Sequence, residues 1–308
     1  MSVVRHDVEF PAADGTRLAG WWYPPASDES PAPVVVMAHG FSAVKEMGLD
    51  RVAAVLAGAG YAVLVHDHRH LGASGGEPRG RIDIWAQARD YRAAIDWVLA
   101  RPGVDPDRLA LWGSSYSGGE VLVVGAADER VRAVVAQVPF AGLPDAEPDP
   151  DGARWTALRD ALLAGTPGAP AEPIGPLAVV SDDAAIPAML GQEESWEWFT
   201  AAGAGTTWRN EVTVARDGGP VPFDPGLAVA RLAPRALLMI VATDDRLAAT
   251  DVALAAFERA GEPKELLVLE GHHFVCYDGD GFERSVAATV RFLDRHLGGP
   301  RPGGSARG

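Results

Sequence analysis

One cysteine, Cys276, stands among 308 residues, so the chain forms no internal disulfide and suits a reducing compartment. Basic side chains are scarce: 27 Lys and Arg face 42 Asp and Glu, giving a net charge of −15 and a pI near 4.9. Nucleic acids and anionic membrane surfaces need a cationic face that displaces counterions, so neither is an expected partner. No stretch approaches the roughly 18 uninterrupted apolar residues of a membrane span. The opening MSVVRHDVEF has no apolar signal core. These absences lead us to expect a cytoplasmic protein. No internal repeat is present. The chain is rich in core-forming residues, with 47% hydrophobic content, and its length permits one large α/β domain or two ordinary ones.

The patterning favours one. Residues 3–10 and 17–23, joined across Asp14-Gly15, read as an antiparallel pair, because glycine supplies the positive φ of a tight reversal. Strand–helix alternation then begins. Short unbroken apolar runs at 34–38, 61–65, 109–112 and 131–138 are separated by helical patterns at 49–59 and 82–100 and by a helix after residue 115. Runs without alternation are strands buried on both faces, and helices between them imply right-handed parallel crossovers. The rhythm breaks over residues 141–225, which are rich in Pro, Gly and acidic positions and show only short helical stretches at 155–163 and 195–202. It resumes with a strand at 236–241, a helix at 250–260, a strand at 266–269 and an amphipathic helix at 282–297. The expected architecture is an α/β core over 1–140 and 226–299, a helical lid inserted at 141–225, and a disordered Pro/Gly/Ser tail at 300–308.

The run Leu109-Ala110-Leu111-Trp112-Gly113-Ser114-Ser115-Tyr116-Ser117-Gly118-Gly119 reads as a nucleophile elbow. There a serine occupies a strained strand-to-helix turn, and the residues two positions away must be small for the two elements to approach. Gly113 and Ser117 meet that condition around Ser115. Ser114 is flanked by bulky Trp112 and Tyr116, and Ser117 lies two residues beyond the strand's apparent end, so Ser115 is the candidate nucleophile and Ser117 the second choice. A serine hydroxyl needs a histidine base, itself oriented by a carboxylate. Parallel sheets gather such groups at strand C-terminal ends. Two later strands end suitably, one in Ala242-Thr243-Asp244-Asp245 and one in Glu270-Gly271-His272-His273-Phe274.

The order Ser, Asp, His is that of an α/β-hydrolase, and residues 33–298 resemble that superfamily of serine hydrolases. His39-Gly40-Phe41 follows the first central strand, where the family places an oxyanion-hole amide. The run from Asp67 to Gly76 resembles the family's Asp-x-Arg-Gly-x-Gly-x-Ser loop, with His70 at a usual glycine. The resemblance puts the acid at Asp245, with Asp244 as fallback and Ala248 where proline is usual. It puts the base at His273, with His272 at a glycine position. Phe41 to Glu46 and the Ser-Gly-Gly elbow resemble bacterial dienelactone-hydrolase-related esterases and polyketide-transferase-like hydrolases. The implied chemistry is acyl transfer: Ser115 attacks a carbonyl, His273 takes its proton, Asp245 orients the imidazole, and the Phe41 and Tyr116 amides hold the oxyanion.

Other residues suggest chemistry that weighs less. His66, His68 and His70 alternate and would share one face of an extended strand, but the Asp that a His-x-His-x-Asp-His metallohydrolase needs after Arg69 is missing. No metal or other cofactor is therefore expected. Cys276 follows no elbow and reads as a buried small residue, and Asp278-Gly279-Asp280-Gly281 as a turn leading a helix rather than a calcium loop. Trp155, Trp196, Trp198 and Trp208 fall in the inserted segment and are the candidate substrate-binding residues of an aromatic-walled lid. The expected function is hydrolysis of a carboxylic ester or thioester of a small hydrophobic metabolite, free or as a carrier-bound acyl group. Acyltransferase or cyclising chemistry of secondary metabolism is the alternative; peptide or carbon–carbon cleavage and a ligand-binding protein on a hydrolase scaffold are more remote.

Overall fold

In the computed structural model, residues 3–26, 30–143, 149–165, 172–216 and 221–299 are described; the expected tail at 300–308 lies outside them. The unbroken apolar runs sit inside an eight-stranded sheet. Its strands are β1 (His6–Pro11), β2 (Arg17–Tyr23), β3 (Ala32–Ala38), β4 (Ala62–His66), β6 (Val104–Ser114), β7 (Val131–Gln137), β11 (Ala236–Ala242) and β12 (Lys264–Leu269), in the order β1-β2-β4-β3-β6-β7-β11-β12. β1 and β2 pair antiparallel, β2 joins β4 antiparallel, and every pairing from β4 to β12 is parallel.

Side-chain alternation in β3 divides the core. Val34 and Val36 face one apolar layer, with α2 (Ile84–Leu99), α3 (Tyr116–Ala127) and α7 (Thr250–Arg259). Val35 and Met37 face the other, with α1 (Leu49–Gly58) and α8 (Gly279–Leu293). All four valine and methionine side chains are fully buried, as a doubly covered parallel strand requires. The parallel strands point the same way, so the ends of β3, β6, β11 and β12 meet along one edge, where His39, Ser115, Asp245 and His273 follow them in the chain.

Residues 141–225 differ from the helical insertion expected. α4 (Ala153–Ala164) is not part of any cover: its Trp155, Leu158 and Leu162 lie in the same buried layer as α2 and α3. The rest carries strands as well as a helix. β8 (Ile174–Val180), β9 (Ala188–Leu190) and β10 (Val212–Val214) join β5 (Arg81–Ile82), from outside the segment, in a four-stranded sheet ordered β5-β10-β8-β9. α5 (Glu193–Gly203) packs against this small sheet, and α6 (Pro225–Val229) leads back to β11. The strands escape a pattern reading because β9 and β10 have three residues each and β8 contains Gly175-Pro176 with its first half exposed.

The Asp67 loop follows β4. His70 takes φ +68°, the left-handed conformation that explains why glycine is usual there. A Cβ on Gly72 would stand 2.3 Å from Asp67 Oδ2, so the loop wraps directly onto that carboxylate. Asp67 accepts from the Lys45 amide (2.8 Å), the Ala73 amide (2.9 Å) and Lys45 Nζ (2.5 Å). The three alternating histidines do not share a face. β4 ends at His66; the His66 and His68 rings meet edge to face at 5.6 Å, while His70 turns away against Gly76.

Burial lowers the pKa of His66 to about 3 and depresses those of His39 and His68 as well. Between there and the ordinary value of about 6.5 the unfolded chain binds protons that the folded chain refuses, so acid favours unfolding. Each such group contributes on the order of 1 kcal/mol per pH unit inside its window. His66→Phe, which keeps ring contacts with Phe10 and Tyr91, is expected to lose less Tm than wild type between pH 7 and pH 5. Identical slopes in thermal melts would show that His66 carries none of the acid sensitivity.

Candidate active site

Ser115 sits where β6 turns into α3, with φ +58° and ψ −114°, a conformation that costs a non-glycine residue roughly 1–3 kcal/mol. Three backbone hydrogen bonds hold it: its amide donates to Gln137 O (2.8 Å), and its carbonyl accepts from Gly119 N (3.2 Å) and Phe140 N (2.9 Å). The small neighbours have steric causes. A Cβ on Gly113 would stand 2.2 Å from Ser117 O, and one on Gly119 2.5 Å from Phe140 O.

The side chain of Ser115 is only partly covered, and its Oγ lies 3.0 Å from His273 Nε2. His273 Nδ1 lies 2.6 Å from Asp245 Oδ2, and both side chains are buried. Asp245 Oδ1 accepts from the amides of Leu247 (2.9 Å) and Ala248 (2.8 Å). The second bond needs an N–H that the usual proline would lack, so alanine at 248 adds a donor to the carboxylate. The alternatives lie elsewhere. Asp244 is exposed and bonded to Thr243 Oγ1, and His272 is exposed with its ring accepting from the Phe274 amide. Cys276 is buried, which pushes its thiol pKa well up.

Ser117 is fully buried in a polar cluster behind the elbow. Its hydroxyl donates to His39 O and lies 2.8 Å from His68 Nε2 and 3.0 Å from Glu120 Oε2. The His68 amide donates to His39 Nε2 (3.2 Å), which leaves His39 Nδ1–H to face Gly40 O at 3.0 Å. Burial drives the Glu120 pKa well above the usual carboxylate range, so a neutral acid with its own proton completes the chain of donors. The cluster thus grips His39 by ring and carbonyl. A Cβ on the next residue, Gly40, would stand 3.1 Å from Ser115 Cβ, so the His39-Gly40-Phe41 turn is pressed against the elbow. None of this was legible as a function of Glu120, whose only sequence signal is an acid inside an apolar helix.

Phe41 and Tyr116 both border a pocket of about 170 Å³ at Ser115 and His273, and their rings meet at 5.6 Å. Of the four tryptophans expected to line it, only Trp198 does. Trp155 is buried in the main core with α4. Trp196 is half-buried against the same apolar cluster as Trp198 but does not border the pocket. Trp208 borders a polar cavity on the far side of the Phe41–Glu46 turn, beside His70 and Arg79. Phe274 and Tyr277, which were not among the expected substrate-binding residues, also line the pocket at Ser115 and His273. Phe274 stacks on Trp198 with ring centroids 5.0 Å apart and planes inclined by 17°. Their signal was position, since the turn at His273–Tyr277 puts the residues one and four places after His273 beside it. Among the described residues, no three His, Cys, Asp or Glu side chains converge to hold a metal ion, and no helix is long and apolar enough to cross a membrane.

Residues 14–275 match the X-Pro dipeptidyl-peptidase (S15) family. The chain belongs to that family of α/β-hydrolases. It is an enzyme of the ester-cleaving hydrolase type. Polyketide transferase af380 of Aspergillus fumigatus is 30% identical over 95% of this chain and 99% of its own length. A thiohydrolase of Eupenicillium brefeldianum is also 30% identical, over 98% and 96%. Among solved structures, the α/β hydrolase GrgF of Penicillium superposes with a TM-score of 0.74 at 29% identity, covering 96% of this chain and 99% of that one.

Asp245→Asn should lower kcat on a p-nitrophenyl ester by roughly 10³–10⁴, since an asparagine holds the wrong histidine tautomer. Asp244→Asn should stay within about threefold of wild type, as expected for an exposed residue. Equal losses in the two variants would place the acid elsewhere.

Proposed function

We propose that this enzyme cleaves a carboxylic ester or thioester of a small hydrophobic metabolite through an acyl-Ser115 intermediate. The observation that carries the reading is the unbroken line from Ser115 Oγ to His273 Nε2 at 3.0 Å and from His273 Nδ1 to Asp245 Oδ2 at 2.6 Å. His273 takes the hydroxyl proton as Ser115 attacks the carbonyl carbon, and returns it to the departing alkoxide or thiolate. Water, deprotonated by the same imidazole, then cleaves the acyl-serine. Asp245, held by two amides, keeps Nδ1 protonated and stabilises the imidazolium.

Backbone N–H groups of Phe41 and Tyr116 receive the tetrahedral oxyanion, and the N-terminus of α3 adds its partial positive charge. Each such donor is worth about 3 kcal/mol of transition-state stabilisation. The buried cluster of Ser117, His68 and Glu120 fixes the turn that presents Phe41. The small sheet with α5 serves as the lid, and Trp198, Phe274 and Tyr277 give the acyl group an apolar wall.

A second reading follows from the relatives. One is a polyketide transferase and another a thiohydrolase, so the acyl group can pass to an alcohol or amine instead of water, or arrive on a carrier. Both readings share the first half-reaction and differ in the acceptor.

Intact mass followed over time with activated acyl esters and thioesters separates them. An adduct that forms and clears in water marks a hydrolase; one that persists until an alcohol or amine is added marks a transferase. Ser115→Ala should form no adduct and Ser117→Ala should still form one. Continued labelling of Ser115→Ala would refute the assignment of the nucleophile.

A further inference from the structure

Beside the catalytic pocket lies a second cavity of about 350 Å³, and the two share Met47, Leu49, Trp198 and Tyr277 as a common wall. We propose that this second chamber receives the distal part of an extended aliphatic acyl chain whose carbonyl lies at Ser115. The proposal rests on the acyl-serine reading and names its substrate class: acyl groups too long for the catalytic pocket.

Size is the first argument. Ligand pockets usually span roughly 300–1,000 Å³, and the catalytic pocket alone, at about 170 Å³, falls short of that range. With the second chamber it falls within it.

Chemistry is the second. Val52, Trp112, Ala202, Cys276 and Phe282 line the chamber, and its floor reaches Trp112 and Cys276, each 1% exposed. The nearby polar side chains are bonded to one another. Gln137 Nε2 donates to Ser114 Oγ at 3.3 Å, and Ser114 Oγ lies 2.6 Å from the Tyr277 hydroxyl. The interior therefore favours a chain without polar groups. Charge is confined to the outer rim, where Arg51 meets Asp278 at 3.3 Å and also donates to Tyr277 O at 3.2 Å.

The wall itself is the third. Tyr277 is anchored through its hydroxyl, and Trp198 is stacked on Phe274. Met47 has an unbranched thioether whose rotamers interchange without breaking a hydrogen bond. Leu49, the other aliphatic side chain of the shared wall, likewise carries no side-chain hydrogen bond, so Met47 and Leu49 are the part of the wall that can yield to an acyl chain.

Ala202→Phe and Val52→Phe fill the chamber from opposite sides, and neither residue borders the catalytic pocket. With p-nitrophenyl butyrate and dodecanoate, the ratio of dodecanoyl to butyryl kcat/KM should fall at least about tenfold in both variants, the loss expected when about two methylenes lose their cover. Binding of dodecanoate to Ser115→Ala, read by titration calorimetry, should weaken by a similar factor when Ala202→Phe is added. An unchanged ratio and unchanged dodecanoate binding in either variant that retains a cooperative thermal transition would overturn the chamber. Absence of turnover on every ester, with dodecanoate binding still sensitive to Ala202→Phe, would instead sink the acyl-serine reading and keep the chamber.

Discussion

The backbone at Ser115 is held in a conformation that a serine adopts only under constraint, and much of the surrounding structure supplies that constraint. Its amide is bonded to the end of β7, and its carbonyl serves both α3 and Phe140. Gly113 lets the strand and helix close to a contact distance that a side chain would forbid, and Gly119 does the same for the helix and the Phe140 backbone. The result lifts a hydroxyl out of the sheet edge towards His273 while the following amides point the start of α3 at the same place. A strained turn of this kind persists because the central strands around it are fully buried and cannot shift to relax it.

A second layer of order lies behind the elbow. His39, His68, Ser117 and Glu120 form a buried polar cluster. His68 Nδ1 and Glu120 Oε1 have no hydrogen-bond partner in it, so its specificity comes from the bonds through Ser117 Oγ and the His39 ring and carbonyl. Here the arrangement it specifies is the position of the His39-Gly40-Phe41 turn. Asp67 does the same for the neighbouring loop, gathering Lys45 and Ala73 around one carboxylate. Both devices fix loops at the strand ends, where the backbone has no ladder of its own.

The sheet was legible because its signal is strong: apolar runs at 34–38, 109–112 and 131–138 are too short for helices and too uniform for half-exposed strands. Ser115 was legible from the size of its neighbours, a steric signal that survives without knowledge of the fold. Asp245 and His273 needed more, since adjacent residues offer the same functional group; the family resemblance chose between them, and the structure brings those two to Ser115. The inserted segment was read poorly. Its strands are short, half-exposed and interrupted by Pro176, and tryptophan identity alone does not tell which face of α5 a residue occupies. Trp196 and Trp198 are two residues apart on one helix and pack against the same apolar cluster, yet only Trp198 borders the pocket at Ser115.

The smallest strand, β5, has a mechanical consequence. Its residues pair with β10, Arg81 opposite Thr213 and Ile82 opposite Val214, and the Thr213 and Ala215 amides donate to Gly80 O and Ile82 O. The small sheet is therefore stitched to the stretch of chain that runs from the Asp67 loop into α2. Raising it like a hinged flap would tear this seam or drag the Asp67 loop along with it. Access to Ser115 is thus easier through local side-chain rearrangement than through bodily displacement of the cover, which makes the traffic of molecules a matter of rotamers more than of domains.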